Sequence, residues 1–249
     1  MWKMVWCFVM SCSCVVFAQD RNKTMKPEDT ELWEPKVSVV KPGVGHAPPS
    51  DAIVLFDGSN LEQWESVGGS GAADWYINKD GSMTVKNNAG DIQTKSCFGS
   101  VQLHIEWKSP VKVQGEGQAR GNSGVFLQSR YEVQVLDNNN NDTYVNGQAG
   151  SIYKQSAPLV HAAVKTGEWN TYDIIYHAPE FDANGHVNKR ATMTVLLNGV
   201  LIQDHVSLLG PTVFVGHPKY VKHGKAPLQL QDHQDNSRVS FRNIWLREL

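Results

Sequence analysis

From Ala52 onward, short apolar runs are broken every few residues by glycine, asparagine, aspartate or serine. The runs are rich in Val, Ile, Trp, Tyr and Thr, which is typical of β-strands, and helical spacing is not sustained. The pattern predicts strands at Ile53–Phe56, Trp75–Ile77, Ser82–Val85, Ile92–Thr94, Val101–Trp107, Gly124–Gln128, Tyr131–Leu136, Thr171–His177, Ala191–Leu197, Val200–Ile202, Leu228–Gln231 and Val239–Arg247. So many short strands predict an all-β fold, a two-sheet jelly-roll β-sandwich with minor helix.

Two dipeptides give hairpin signals. Asn198-Gly199 lies between apolar runs, and both residues accept the positive φ angles that a type I′ turn requires. Asp80-Gly81 is a second signal of this kind. Each pair therefore predicts two adjacent antiparallel strands.

Strand alternation sorts side chains onto opposite faces. On the run that begins at Val101, the residues Leu103, Ile105 and Trp107 share one face and Glu106 lies on the other. On the run that begins at Tyr131, Val133 and Val135 oppose Glu132 and Gln134, and after Leu228 the polar face carries Gln231 and His233. Polar rows of this kind are commonly the solvated face of an antiparallel sheet.

The N-terminus predicts export. Residues 1–18 carry one lysine, no acid and an apolar stretch that ends in small or aliphatic residues, so we expect a secretory signal peptide cleaved before Gln19. The product would be secreted or periplasmic, and a lipid anchor on Cys12 is the less favoured alternative because the apolar stretch before it is short. Residues 19–50 contain five prolines and predict an extended arm, followed by one domain over 51–249.

The net charge and the cysteine content argue against several classes of protein. A net charge of −2 argues against a protein that neutralises nucleic acid or anionic lipid, and no apolar run past the N-terminus could span a membrane. Cleavage of the signal leaves Cys97 as the one remaining cysteine, so no internal disulfide is expected. Without a neighbouring histidine, Cys97 is expected to be a small buried hydrophobic residue.

The polar faces also offer candidate chemistry. Glu132, Gln134, Gln231 and His233, together with nearby Trp and Tyr residues, are the groups that a sugar site needs, since amides and carboxylates bind hydroxyls and aromatic rings bind C–H surfaces. Other candidates have structural alternatives. Glu106 fits an exposed carboxylate, Asp137 fits the start of an Asx-rich loop, and Tyr153 fits a core aromatic residue with a polar hydroxyl.

An ordered series of motifs resembles the 3-keto-disaccharide hydrolase family, first catalogued as a domain of unknown function. The matching segments run through nearly the whole predicted domain: Phe56–Trp64 (FDGSNLEQW), Asp91–Lys95 (DIQTK), His104–Trp107 (HIEW), Gly121–Val125 (GNSGV), Tyr131–Asp137 (YEVQVLD), Gly150–Tyr153 (GSIY), Leu230–His233 (LQDH) and Phe241–Ile244 (FRNI). The resemblance implies a concanavalin/glucanase-like jelly roll in an exported protein that acts on glycosides oxidised at C3.

The chemistry implied by that resemblance is proton abstraction at C2, followed by elimination of the C1 substituent and addition of water. For it we expect Glu132 as the base and His233 as the acid or as the group that polarises the ketone. Asn122, Gln134, Asp137, Tyr153 and Gln231 would bind the substrate, with Glu106 as a second candidate base.

We expect a small oligosaccharide or glycoside as substrate, no nucleic-acid partner and no cofactor. A divalent metal such as calcium would suit oxygen ligands, but no segment has the ligand spacing of a metal motif. Two alternatives stay open: a lectin-like binding module on the same fold, and a conventional glucanase. The second needs acids that alternate along one strand, and Gln134 occupies the place of the second acid.

Overall fold

The computed structural model describes residues 24–68 and 71–249, so the predicted signal peptide, 1–18, lies outside the described residues. Residues 24–39 form one unit, which contains a single 3₁₀ turn at Pro27–Thr30, and residues 40–249 form the other. Among the described residues, no helix has the length and apolar character that crossing a bilayer requires. The domain boundaries at 18 and 50 stay predictions.

The second unit is built almost entirely from strands. In chain order these are β1 (Ile53–Phe56), β2 (Trp64–Ser66), β3 (Tyr76–Ile77), β4 (Met83–Thr84), β5 (Ile92–Phe98), β6 (Val101–Lys108), β7 (Ser123–Leu127), β8 (Tyr131–Val135), β9 (Asn170–His177), β10 (Glu180–Phe181), β11 (Val187–Lys189), β12 (Thr192–Leu197), β13 (Val200–Ser207), β14 (Ala226–Leu230) and β15 (Ser240–Glu248). Two short 3₁₀ turns, Gly117–Ala119 and Val145–Gly147, are its only helical segments among the described residues.

The strands form two main antiparallel sheets. The larger has the order β13-β12-β9-β6-β15-β4-β3, with β1 paired to β15, and the smaller has the order β2-β5-β14-β7-β8. Strands β10 and β11 form a separate two-stranded ribbon. The predicted all-β, two-sheet jelly-roll sandwich is confirmed, and it differs from the sequence prediction mainly by the additional short strands β2, β10 and β11.

The core lies between the two sheets. Leu103, Ile105 and Trp107 of β6 are at most 1 % exposed, and Val133 and Val135 of β8 are fully buried, as strand alternation predicts. Both strands are therefore anchored by their apolar faces. The polar residues that lie between these positions point away from the core, and this arrangement decides where chemistry can occur.

The Asn198-Gly199 turn connects β12 to β13 as predicted. Asn198 has φ 53° and Gly199 has φ 76°, the left-handed values that a tight hairpin turn with the strands' own twist requires. The Asn198 side chain also accepts a hydrogen bond from the main-chain N–H of Thr171, so the turn is fixed to the start of β9.

The expectation that Cys97 is buried is wrong. Cys97 is exposed near the end of β5, where the register between β5 and β14 shifts between Pro227 and Gln229. Irregular pairing interrupts the strict alternation of side chains. The odd or even position of a residue in the sequence then no longer tells on which face of the sheet its side chain lies. Thr94 stabilises the irregular segment, since its hydroxyl donates to the carbonyl of Ser96 and accepts from the N–H of Leu228.

Replacing Gly199 with alanine should lower the free energy of unfolding by about 1–2 kcal/mol, because an L-residue is strained in the left-handed region. A Cβ at Gly199 would meet no atom within 4 Å, so the cost comes from the backbone alone. Gly224→Ala is the matched control, because that site is equally open and has no left-handed φ. Urea denaturation measures both variants, and equal stabilities would contradict the turn assignment.

Candidate functional site

A cavity of about 610 Å³ opens on the outer face of the smaller sheet, where β7, β8 and the segment after β14 come together. A second cavity, of about 420 Å³, lies elsewhere and is lined in part by Phe56, Asp80 and Arg242. Its walls combine amides, aromatic rings and a few ionisable groups: Gln118, Ala119, Asn122, Phe126, Glu132, Gln134, Tyr144, Tyr153, Lys154, Thr212, Phe214, Gln231 and His233.

Strand β8 presents Glu132 and Gln134 to this cavity, opposite its two core valines. Across the sheet, Gln134 pairs with Gly124 and Glu132 pairs with Phe126. A Cβ at Gly124 would lie 2.7 Å from Oε1 of Glu132 and 2.6 Å from the ring of Phe126. The glycine of the Asn-Ser-Gly motif is therefore required here, because any side chain would displace the carboxyl group.

The carboxyl group of Glu132 is unusual because it is buried without a cation. Its residue is only 4 % exposed, and no Lys, Arg or His forms a salt bridge with it among the described residues. Burial, with a further contribution from the negative charge of Asp91, raises the pKa of Glu132 to about 8. Carboxyl groups with such a pKa are frequent at functional sites, where they exchange protons near neutral pH.

His233 reaches the same cavity from a different part of the chain. It follows β14 by three residues, and its side chain is 35 % exposed. Its Nδ1 lies 2.8 Å from Oδ2 of Asp235, whose other oxygen accepts a hydrogen bond from the N–H of Ser237. Asp235 thus fixes the ring, although no sequence pattern singled out this residue.

Amide side chains connect these two groups along the cavity wall. Asn122 is 2 % exposed, and its Nδ2 donates to the main-chain carbonyl of Gln118 at 2.6 Å. Gln231 is fixed by its backbone, because its N–H donates to Gly124 and its carbonyl accepts from the hydroxyl of Ser123. Together with Gln134, these residues supply donors and acceptors suited to sugar hydroxyls.

Aromatic rings surround the mouth of the cavity. The hydroxyls of Tyr144 and Tyr153 lie 2.6 Å apart, and burial raises the pKa of Tyr153. Lys154 follows Tyr153 with its Nζ 4.1 Å from the ring centre of Phe214, and it donates to the carbonyl of that residue. The sequence predicted Tyr153 for this site, but the other three come from loops without any periodic pattern.

The segment after β8 reaches the mouth because it folds back along the edge of the sheet. Gly150 donates to the carbonyl of Gln134, and Gln134 donates to the carbonyl of Ser151. The N–H of Tyr153 lies 3.3 Å from the carbonyl of Glu132, and Thr212 accepts from the N–H of Glu132. The edge strand is thereby covered, and the two tyrosines are positioned relative to Glu132.

The structure brings Glu132, His233, Asn122, Gln134, Tyr153 and Gln231 together, but it does not bring Glu106 or Asp137 into the cavity. Glu106 lies on β6 in the larger sheet, where it pairs with Arg242 at 2.6 Å and accepts from Asn243. Burial disfavours its charge, but those hydrogen bonds outweigh burial and hold the pKa of Glu106 below its ordinary value.

Asp137 has a structural environment of its own at the end of β8. It is 3 % exposed, pairs with Arg120 at 3.0 Å, and accepts hydrogen bonds from Asn139 and Thr166. These contacts use its oxygens to organise the loop that follows, as the Asx-loop alternative predicts. Sequence proximity to Glu132 placed it among the candidates, although the end of the strand points it elsewhere.

No three His, Cys, Asp or Glu side chains come together as a metal site in the part of the chain that the structure describes. The cavity itself contributes one carboxyl group and one imidazole, with amide oxygens around them. The absence of a resident cofactor stays a prediction.

Comparisons with known proteins place the cavity in context. A family model described as a 3-keto-alpha-glucoside-1,2-lyase-like domain matches residues 51–247. A crystal structure of a protein from Parabacteroides distasonis ATCC 8503, provisionally named a glycosyl hydrolase, is 54% identical to this chain with a TM-score of 0.86. The match covers 90% of this chain and 97% of that chain.

Two further crystal structures from the same organism, also provisionally named glycosyl hydrolases, are more distant. They are 19% and 23% identical, with TM-scores of 0.58 and 0.52, and each match covers 80% of this chain. The matches cover 94% and 99% of those chains, and at such identity they show the fold alone. No protein with a curated description matches the sequence.

Replacing Glu132 with glutamine should remove a pH dependence of stability. The folded state holds a proton up to about pH 8, whereas the unfolded chain releases it near 4.5, so the wild type loses stability as pH rises between these values. The loss is about 1.4 kcal/mol per pH unit within that window. The variant should therefore be the more stable protein at pH 9, with a smaller difference at pH 5.

Chemical denaturation at pH 5, 7 and 9 tests this expectation. Glu180→Gln is the control, because Glu180 is an exposed glutamate on β10 and does not line the cavity. If the stabilities of wild type and Glu132→Gln respond equally to pH, Glu132 is ionised in the folded protein and its pKa is not raised.

Proposed function

Since the chain belongs to the family of 3-keto-alpha-glucoside-1,2-lyase-like domains, we propose that it is a carbohydrate-active enzyme that cleaves glycosides already oxidised at C3. The observation that carries the proposal is the convergence of Glu132 and His233 on one cavity. Glu132 lies on β8 and His233 follows β14, so the two come from distant parts of the chain, and a carboxyl group and an imidazole are side chains that commonly serve as general acid and base.

The C3 ketone determines what the site has to do. It acidifies the C2 hydrogen, so a base removes that proton and the electron pair delocalises into the ketone as an enolate. The electron pair then forms the C1–C2 double bond while the C1–O bond breaks, and an acid protonates the departing oxygen. Water adds to the unsaturated product where hydrolysis is the overall outcome. The reaction therefore needs one proton acceptor and one proton donor.

The cavity offers one acid-base pair of this kind and a polar wall. Glu132 and His233 transfer the protons, and the amides of Asn122 and Gln231 are placed to bind sugar hydroxyls or the enolate oxygen. The tyrosines and Phe214 at the mouth provide faces for the C–H surface of a sugar ring. A volume of about 610 Å³ accommodates a small glycoside.

A conventional retaining glycosidase would require a second carboxyl group about 5 Å from the first. The neighbour of Glu132 on the same face of β8 is Gln134, and among the described residues no other carboxylate lines the cavity. A lectin-like module remains the alternative that the aromatic mouth favours, because aromatic rings and amides alone are sufficient for binding. Turnover distinguishes the two.

The decisive assay compares a disaccharide oxidised at C3 with its unoxidised parent and follows sugar release from each, with and without a chelator. We expect release only from the oxidised sugar. Glu132→Gln and His233→Ala should each lower kcat/KM by about 10²–10⁴. Release from the parent alone would contradict the proposal, and binding without turnover would favour the lectin-like alternative.

Matched controls come from the β10–β11 ribbon. Glu180→Gln and His186→Ala repeat the same chemical changes at exposed residues outside the cavity, so they should retain wild-type activity. Undiminished turnover in Glu132→Gln and His233→Ala would show that neither residue is catalytic, but it would not contradict the proposed substrate class.

We further propose export through cleavage before Gln19. Expression in a bacterium with a periplasm should give a mature protein in the periplasm or medium whose N-terminal residue is Gln19, as measured by intact mass and N-terminal sequencing. A lipid-modified protein that begins at Cys12 and sediments with membranes would show the anchored alternative instead.

A further inference from the structure

We infer that the substrate site continues beyond the cavity as a row of side chains across the smaller sheet, and that this row binds further units of a neutral oligosaccharide. The outer row consists of Glu65, Gln93, Gln229 and Phe126, and it meets the cavity at Glu132. The inference deepens the proposed function. Its consequence for turnover rests on that proposal, whereas the binding of unoxidised sugar does not.

Cross-strand pairing aligns the outer row with Glu132, one residue from each strand of the smaller sheet. Glu132 of β8 lies opposite Phe126 of β7, and Phe126 lies opposite Gln229 of β14. Gln229 lies opposite Gln93 of β5, which lies opposite Glu65 of β2. Directly opposed residues in an antiparallel sheet point to the same face, so the row shares the face of Glu132. Four inter-strand spacings give the line a length of about 19 Å, more than one sugar ring.

Phe126 joins the outer row to the cavity. Its ring lines the cavity, and a Cβ at Gly124 would lie 2.6 Å from that ring, so the ring leans over the bare backbone of the glycine. Phe126 is half-buried although it points away from the core. The face of an aromatic ring binds the C–H surface of a sugar. A sugar chain that leaves the cavity along the row therefore meets Phe126 first.

Hydrogen bonds hold the two glutamines of the outer row in place. Nε2 of Gln93 donates to Oε1 of Glu65 at 2.9 Å, and Nε2 of Gln229 donates to Oδ2 of Asp91 at 2.7 Å. An ionised carboxylate only accepts hydrogen bonds, so each amide directs its nitrogen to its carboxylate. The amide oxygens have no hydrogen-bond partner among the described residues. They are therefore left to accept hydrogen bonds from sugar hydroxyls.

Asp91 connects the outer row to the segment that carries His233. One of its oxygens accepts from Gln229 of the row, and the other accepts from the N–H of Asp232 at 2.9 Å. Asp232 directly precedes His233, which lines the cavity. The same carboxylate thus fixes a residue of the row and the backbone beside the cavity. A sugar unit in the cavity and the units that follow it would contact one continuous surface.

The outer row differs from an ordinary solvated sheet face. Its four side chains are half-buried, whereas a face that only meets water carries exposed side chains. Both amides are already held by their partners, so a ligand immobilises few side chains and little conformational entropy is lost on binding. Amides, a carboxylate and an aromatic ring are also the groups that bind sugar hydroxyls and C–H surfaces.

The charge of the outer row favours a neutral sugar chain. Glu65 belongs to the row and Asp91 lies against it, while none of the four members is a cation. Lys95 follows two residues after Gln93 but is exposed and lies outside the row. Negative groups repel the carboxylates of an acidic oligosaccharide and accept hydrogen bonds from the hydroxyls of a neutral one.

Calorimetry of the full chain with unoxidised gluco-oligosaccharides of the maltose and cellobiose series tests the row without turnover. In at least one series we expect affinity to rise about tenfold from the disaccharide to the tetrasaccharide. Gln93→Ala should lower tetrasaccharide affinity by about three- to tenfold, because one fixed hydrogen-bond acceptor is lost, and leave disaccharide affinity unchanged. Glu65→Ala removes the partner that fixes Gln93, and it serves if Gln93→Ala fails to fold.

Gln102→Ala is the matched control. Gln102 is also a half-buried glutamine on the outer face of a strand with a charged hydrogen-bond partner, Arg247, but it lies on β6 of the larger sheet. This variant should keep the full gain with chain length. Trigalacturonate should bind more weakly than the neutral trisaccharides. Affinity that does not depend on length, a gain retained in both row variants, or tighter binding of the uronate would overturn the inference.

Turnover separates failure of this inference from failure of the proposed function. With the same series oxidised at C3 of the non-reducing terminal unit, kcat/KM should rise with chain length through a lower KM at constant kcat. Gln93→Ala should lose that rise and keep its activity on the disaccharide. Cleavage that is independent of length would overturn the inference and leave the proposed function intact. Length-dependent binding without cleavage of any oxidised sugar would contradict the proposed function and support the row.

Discussion

The site depends on one constraint: the carboxyl group of Glu132 is held nearly buried on the smaller sheet, without a salt bridge among the described residues. Strand β8 is buried on both faces, since its valines pack in the core while Glu132 and Gln134 lie beneath the loops that cover the sheet edge. Burial of an unpaired carboxyl group costs stability unless the group stays neutral. Burial on β8 therefore raises the pKa of Glu132 in the free protein.

Two glutamates of this chain show how environment alone separates their chemistry. Glu106 and Glu132 both point outward from strands whose other face is core, and both are nearly buried. Glu106 meets Arg242 and Asn243, which hold its pKa below the ordinary value, whereas burial and the negative charge of Asp91 raise the pKa of Glu132. Glu106 thus forms an ion pair within the larger sheet, whereas Glu132 has the raised pKa that suits the proposed acid-base role.

That difference marks the limit of what the sequence could predict. Alternation along β6 and β8 assigned side chains to the correct faces of the sheets, because side chains alternate between the two faces along a regularly paired strand. It could not separate Glu106 from Glu132, since the partner Arg242 lies 136 residues from Glu106 along the chain. Alternation also gave the wrong prediction for Cys97, which is exposed, because the register shift between β5 and β14 makes the pairing irregular there.

The mouth of the cavity was the least predictable part for a related reason. Tyr144, Lys154 and Phe214 lie outside regular strands, and their positions follow from how two loops cover the edge of β8. An exposed edge strand would be open to unwanted pairing, so covering it is a requirement of the fold. The same covering buries Glu132 and supplies the aromatic rings of the mouth, so the loops that protect the edge strand also form the site.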